Sequence, residues 1–215
     1  MRRIVLLFGP PGIGKGTVGA SLSEKWHIPL ISTGDLLREQ VKCNTSLGEH
    51  ARAFMERGEL VPDELVVEVL HERVSQKDAK DGFILDGFPR TLKQAEMLEG
   101  VFLAGDERII LNLEGSPAVL IERLSQRRIC SVCGAVYHMT NIPPKQDDIC
   151  DFCGGALVRR PDDEPVVIEK RLRVFAEETK PILDFYRGTN AVYTINADGT
   201  LPETLQEIDR IVKWS

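Results

Sequence analysis

The sequence has no excess of basic residues: 33 Asp and Glu outnumber 27 Lys and Arg, for a formal net charge of −6. General affinity for nucleic acid needs a basic surface that displaces counterions from phosphates, so that class of partner is set aside. No apolar run approaches the roughly 20 residues of a membrane-spanning helix. The run after Arg2-Arg3 covers only Ile4 to Phe8 and ends in Gly-Pro-Pro-Gly rather than a small-residue cleavage site, so no signal peptide is expected. There is no internal repeat and no low-complexity segment, which removes solenoids and fibrous classes. His27, His50, His71 and His138 lack ligand spacing, so no histidine metal site is expected. A soluble cytoplasmic protein remains, long enough for one α/β core with small insertions.

What is present starts with Gly9-Pro10-Pro11-Gly12-Ile13-Gly14-Lys15-Gly16-Thr17. Ile4 to Phe8 before it reads as a buried strand, and Val18 and Leu22 after it have helical spacing. Strand, glycine-rich turn and helix are the context in which such a motif holds phosphate. Glycines let the backbone turn its N–H groups inward, the helix start adds its positive dipole end, and Lys15 adds a mobile full charge. The spacing fits the phosphate-binding rule G-x-x-x-x-G-K-[ST] up to its last position. There Gly16 replaces the hydroxyl residue and Thr17 follows one later, leaving open which hydroxyl could ligate magnesium.

The rest of the chain alternates strands and helices. Helices are expected at about 15–25, Leu36–Lys42, Leu47–Arg57 with Gly58 as C-cap, and from Pro62-Asp63-Glu64 with Val66, Leu70 and Val74 on the buried side. Further helices are expected from Thr91 to Glu99, Ser116-Pro117 to Arg128, Pro165 to Arg187 and Pro202 to Lys213. Strands are expected at Ile28–Ile31, Phe83–Asp86, Arg108–Leu113 and Val192–Ile195. The alternation predicts an α/β fold: a parallel sheet with helices on both faces. Ligands bind at the carboxyl ends of such strands. The glycine-rich loop, Ser32-Thr33 and Asp86 through Arg90 should therefore converge on one cleft.

Residues 126–163 break the alternation and hold four of the five cysteines as C-x2-C-x16-C-x2-C: Cys130, Cys133, Cys150 and Cys153. This spacing points to tetrahedral zinc with every position filled by thiolate, hence a structural ion. Two disulfides are the alternative, disfavoured in a reducing compartment. The five basic residues of this segment (Arg127, Arg128, Lys145, Arg159, Arg160) are matched by five acidic ones, so a nucleic-acid-binding ribbon is not indicated. Cys43 reads as a small apolar side chain.

Four stretches together resemble the adenylate kinase family in its long-lid, zinc-bearing form: GPPGIGKGT at 9–17, ISTGDLLRE at 31–39, GFILDGFPRTLKQ at 82–94 and the paired CxxC sequences. The resemblance covers essentially the whole chain. It implies a P-loop core of residues 1–31, 62–125 and 164–215, an AMP-binding segment at 32–61 and a zinc-bearing lid at 126–163. It further implies magnesium-dependent phosphoryl transfer from ATP to AMP, giving two ADP, by a monomer without nucleic-acid or membrane partners. For ATP it implies Gly12, Ile13, Gly14, Lys15, Gly16, Thr17, Arg123, Arg127, Val136, Tyr137 and, through its main chain, Leu201. For AMP it implies Thr33, Arg38, Glu59, Leu60, Val61, Gly87, Phe88, Pro89, Arg90, Gln94, Arg160 and Arg171. Thr33 and Gln94 match positions that read adenine.

The chemistry agrees with that resemblance. A phosphate oxygen is already a nucleophile, so catalysis reduces to alignment and charge stabilisation, best done by arginine forks. The resemblance implies that Arg38 and Arg90 hold the AMP phosphate, that Arg127, Arg160 and Arg171 surround the transferring group, and that Arg123 lies against the ATP. Lys15, reaching the outer phosphates, and Arg90 count with these among the catalytic residues. Arg123 and Arg127, four apart, are expected on one helical face. Asp86 suits magnesium held through water, with a loop hydrogen bond as the alternative. Before Arg171 this chain carries Glu164-Pro165-Val166-Val167, a departure from the family in which Pro165 would stiffen the hinge. The other readings are a monophosphate kinase of different specificity (GTP:AMP or UMP/CMP) and a non-catalytic nucleotide switch.

Overall fold

The first strand, β1 (Arg3–Phe8), is apolar from Ile4 onward because both of its faces are covered. Successive side chains point opposite ways. Ile4, Leu6 and Phe8 enter one apolar cluster, and Val5 and Leu7 enter another. In this computed structural model, which describes residues 2–100, 102–103, 105–188 and 191–212, β1 sits at the centre of a five-stranded parallel sheet.

Along the chain, β1 leads to α1 (Lys15–Trp26), β2 (Leu30–Ser32), α2 (Thr33–Lys42), α3 (Ser46–Glu56) and α4 (Asp63–Val74). Then come β3 (Gly82–Asp86), α5 (Leu92–Glu99), β4 (Glu107–Glu114) and α6 (Pro117–Ser125). Three short strands follow, β5 (Arg127–Cys130), β6 (Val136–His138) and β7 (Leu157–Val158). The chain closes with α7 (Pro165–Val174), α8 (Ile182–Arg187), β8 (Ala191–Asn196) and α9 (Leu201–Ile211). The main sheet runs β2-β3-β1-β4-β8, with every pair parallel. Leu6 sits beside Leu85 on one side and Ile110 on the other. Side chains from α2, α3, α4, α5 and α8 fill one face; α1, α6 and α9 cover the other. The predicted α/β architecture is what forms. No helix among the described residues is long and apolar enough to cross a membrane.

Local chemistry sets most boundaries. Ser32 Oγ accepts from the Asp35 amide (3.3 Å) and starts α2 at Thr33, three residues before the expected Leu36. Gly58, at φ +68°, ends the α3 region as expected of a C-cap glycine. Thr91 Oγ1 accepts from the Gln94 amide (3.1 Å) to cap α5.

Four expectations need correction. The helix expected to reach Arg128 stops at Ser125, because the chain turns at Gln126 and pairs as β5 with β6 and β7 in an antiparallel sheet. Arg127 is therefore a strand residue, and Arg123 and Arg127 share no helical face. The helix expected over Pro165–Arg187 is broken: α7 ends at Val174, and Phe175–Thr179 forms a wider π turn. Pro181 offers no N–H to continue the ladder, the Lys180 amide donates to Phe175 O instead (2.8 Å), and α8 restarts at Ile182. Cys43 is no core side chain: it is exposed beyond α2, its sulfur 3.5 Å from Glu39 Oε1. The last helix begins at Leu201; its expected end at Lys213 lies outside the described residues.

The α2–α3 crossing is closed by Gly48, where an added Cβ would sit 2.1 Å from the Gln40 carbonyl oxygen. Gly48→Ala is expected to cost about 1–3 kcal/mol by overpacking, lowering the melting temperature by about 2–12 °C in calorimetry. An unchanged melting temperature would mean that the crossing opens freely.

Candidate functional site

Three strand ends meet at the carboxyl edge of the sheet. After β1, Gly9, Gly12 and Gly14 all take positive φ, up to +140° at Gly9, a conformation that side chains other than glycine resist. A Cβ on Gly9 would also lie 2.6 Å from Leu113 O. The loop delivers the chain into α1, whose N-terminus no side chain caps. Its first N–H groups have no intrahelical partner, which makes an anion site at the positive end of the helix. Lys15 folds over the loop, donating to Gly9 O (2.7 Å) and Pro10 O (3.0 Å). Burial pulls the Lys15 ammonium down to about 8; Asp86 opposes this, while Arg90, Arg171 and Arg127 reinforce it.

Two clefts open here. One, of about 600 Å³, is lined by Thr33, Arg38, Leu60, Val61, Gly87 and Gln94 among others. The second, of about 550 Å³, is lined by Gly9, Lys15, Leu60, Pro89 and Thr179 among others. Arg90, Arg171, Gly87 and Gly58 line both.

The cations between them are held from behind. Arg90 Nε donates to Gly87 O (2.8 Å), and Thr179, in the π turn, donates to Arg90 O (3.0 Å). Arg38 forks onto Asp35 (2.5 and 3.2 Å). Arg127 forks onto Asp163 (2.5 and 2.8 Å), and Arg171 reaches the same carboxylate (2.9 Å) and Asp162 (3.1 Å). Asp163 is 1 % exposed, so this is a buried ion triad. Arg160 is different: it is 9 % exposed and its Nε has no hydrogen-bond partner among the described residues. Burial, then the like charges of Arg38 and Arg127, push it down to about 9. Desolvation by the surrounding protein also lowers half-buried Arg171 and, though its side chain reaches the surface, Arg90. Burial would raise Asp162, but Arg171, Arg160, Arg127 and Arg38 hold it below the usual carboxylate range. Among the described residues the acids that act on these six cations are Asp35, Asp86, Asp162 and Asp163, fewer than the cations, and Glu59 in the same cleft is engaged by Arg57 and Lys170, so the site has room for added negative charge.

The other expected residues occupy varied positions. Asp86 ends β3 beside the start of α1, its Oδ2 3.6 Å from where a Gly16 Cβ would be; Thr17 is half-buried in the first turn. Thr33 donates to Gly87 O (2.9 Å). Glu59 is taken up by Arg57 and Lys170, which bring its carboxyl down to about 2. Val61 and Phe88 are buried. Arg123 donates to the carbonyls of Ile13, Ala197, Asp198 and Gly199 (2.8–3.2 Å), tying the glycine-rich loop to the turn before Leu201. Val136 is exposed, whereas the Tyr137 hydroxyl is turned inward, donating to Cys150 Sγ (3.5 Å).

The four cysteines converge. Their sulfurs lie within 4.8 Å of one another, with Cys130–Cys153 at 3.4 Å and Cys133–Cys150 at 3.6 Å. These are not bonded distances, so no disulfides form. Tetrahedral zinc with bonds near 2.3 Å needs sulfur separations of about 3.8 Å, so the cluster could hold such an ion. The Val132 and Cys133 amides donate to Cys130 Sγ. Burial raises Cys150, but donation from Tyr137 and the Phe152 and Cys153 amides brings it to about 6, favouring the ligating thiolate.

A family model described as adenylate kinase matches residues 7–191 of the chain. The chain belongs to the adenylate kinase family. It is 44 % identical over 210 residues to an adenylate kinase of Methanocella arvoryzae and 45 % identical over 210 residues to one of Caldicellulosiruptor saccharolyticus, each match covering 97 % of both chains. An adenylate kinase of Archaeoglobus fulgidus is 43 % identical over 211 residues, with 97 % of both chains covered. Within this adenylate kinase fold, sequence reasoning passed over Asp163 and Asp162. Their only signal is an acidic pair just after Arg160, which reads as ordinary surface charge until Arg127 and Arg171 are brought onto it.

Asp163→Asn removes the charge that Arg127 and Arg171 share. Breaking a buried pair costs about 3–5 kcal/mol, so the melting temperature should fall by about 6–20 °C. Tripolyphosphate should raise it more in the variant than in the parent, because an anion replaces the lost charge. Equal increments in thermal-shift assays would contradict this account.

Proposed function

We infer that the protein catalyses reversible phosphoryl transfer from ATP to AMP, giving two ADP. Family membership supports the reaction. The observation that carries the site is the gathering of cations: Arg90 and Arg171 line both clefts, and Arg160, buried with no partner for its Nε among the described residues, lies near Arg38 and Arg127. Mere binding does not require so many cations where two nucleotide tails would meet. In this reading the β- and γ-phosphates of ATP lie on the N–H groups of residues 12–17 under Lys15, with Arg123, Val136, Tyr137 and the main chain of Leu201 towards the donor base. AMP occupies the larger cleft, its phosphate held by Arg38 and Arg90 and its base facing Thr33 and Gln94, with Glu59, Leu60, Val61 and Gly87 to Pro89 around it. Arg127, Arg160 and Arg171 neutralise the oxygens of the group in flight, which keeps donor and acceptor in line without a general base.

Asp86 and Thr17 are the groups fitted to magnesium brought in with ATP, since the missing Gly16 side chain leaves space beside Asp86. When bound, the ion offsets phosphate charge. Cys130, Cys133, Cys150 and Cys153 would hold structural zinc, stabilising a segment whose buried apolar cluster is small. Residues 32–61 would close over AMP and 126–163 over ATP, excluding water, on a core of 1–31, 62–125 and 164–215. A cytoplasmic monomer is the family expectation, and the net charge of −6 argues against a nucleic-acid partner.

Purified protein should form ADP from ATP, AMP and magnesium, and should prefer AMP to CMP, UMP and GMP. Arg90→Ala should lower kcat by about 10²-fold or more in a coupled ADP assay. Retained activity in that variant would remove Arg90 from the mechanism, and faster turnover of CMP than AMP would displace AMP as the acceptor. For the cysteines, elemental analysis should find one zinc per chain, and Cys150→Ser should lose it together with several degrees of thermal stability. Metal-free protein purified under reducing conditions would refute zinc.

A further inference from the structure

Gln94 is 2 % exposed and lines the larger cleft. An amide side chain can pair with a 6-amino purine or, turned by 180°, with a 6-oxo purine. Alone it does not discriminate. Here its orientation is set from behind. Its Oε1 accepts from the Arg90 amide (2.7 Å), a group that can only donate. Its Nε2 donates to Asp63 Oδ1 (2.7 Å), a carboxylate that can only accept when ionised. Asp63 opens α4 and is itself steadied by Thr91 Oγ1, 3.3 Å from each of its oxygens. Turning the amide over would point its carbonyl at a carboxylate and its NH₂ at an N–H, two repulsive contacts in a buried place.

Thr33 is polarised in the same sense. Its hydroxyl proton is committed to Gly87 O (2.9 Å), a pure acceptor, so it can offer a ligand only a lone pair. That suits a base that presents an amino hydrogen and repels one that presents an oxo group. Gln94 keeps one N–H and one carbonyl lone pair for the ligand, in a fixed order.

We propose that Asp63 is a specificity-determining positioning residue: by fixing the Gln94 amide, it makes the acceptor cleft select 6-amino over 6-oxo purine monophosphates. This rests on the reading that Gln94 faces the acceptor base. Asn at position 63 can turn together with Gln94, leaving only the Arg90 amide to oppose the reversed orientation.

The test compares AMP with IMP, its 6-oxo counterpart, at saturating ATP and magnesium. Asp63→Asn should lower the AMP:IMP ratio of kcat/KM by at least about fivefold, acting through the acceptor KM. The KM for ATP and the kcat with AMP should stay within about threefold. An AMP:IMP ratio within about twofold of the parent overturns the proposal. Gln94→Ala, run alongside, should lose at least as much discrimination. If it keeps the parent ratio, the reading of Gln94 as a base contact fails, and the proposal falls with it. A measurement on the unmodified protein guards against poor folding of either variant. One Gln94 side-chain amide proton should exchange with water at least about tenfold more slowly than surface glutamine amides, and equal exchange also overturns the assignment.

Discussion

Like charges brought together repel, and the fold has to hold six of them at one sheet edge, Arg160 buried, Arg90 exposed and the other four half-buried. The repulsion is managed by a few carboxylates set among the cations. Asp163 does most of this, buried beneath Arg127 and Arg171, while Asp35 steadies Arg38. The acids are too few to neutralise the group. Among the described residues no acid pairs with Arg160, and the burial that depresses it is a standing demand for an anion. Free energy withheld from the unliganded state in this way would be returned on binding an anion there.

Backbone carbonyls do the rest. Lys15 rests on Gly9 and Pro10, Arg90 on Gly87, and Arg123 on four carbonyls from two separate loops. Carbonyls orient a cation without cancelling its charge, so the side chains are aimed before any ligand is present. That is the property electrostatic catalysis needs, because little reorganisation remains for the moment of reaction. The parallel sheet supplies rigidity: the loops spring from strands buried on both faces, and the glycine conformations after β1 are enforced by close neighbours such as Leu113.

Much of this could be read from residue order. The glycine-rich turn, the alternation of strands and helices, the C-cap at Gly58 and the spacing of the four cysteines are local patterns with local causes. What escaped reading is tertiary. The helix after Ser116 looked able to run through Arg128; it ends at Ser125 because β6 and β7, many residues later, offer strand partners to Arg127–Cys130. The long helix after Pro165 looked continuous; the π turn at Phe175–Thr179 interrupts it and brings Thr179 to the Arg90 carbonyl. Asp163 and Asp63 carried no motif, since a buried acid is recognised only by the cations or amides that reach it from elsewhere in the chain. Cys43 was misread for the reverse reason: apolar by residue type, it lies beyond the end of α2, where nothing packs over it.

The cysteine-bearing segment has its own small cluster of Cys130, Tyr137, Cys150 and Leu157, which shares no member with the two clusters on the sheet. Its cohesion is therefore a local account, settled by a handful of nearby residues. Mutation can make this appendage firmer or looser while the strands beneath keep their packing, which gives evolution one adjustable module.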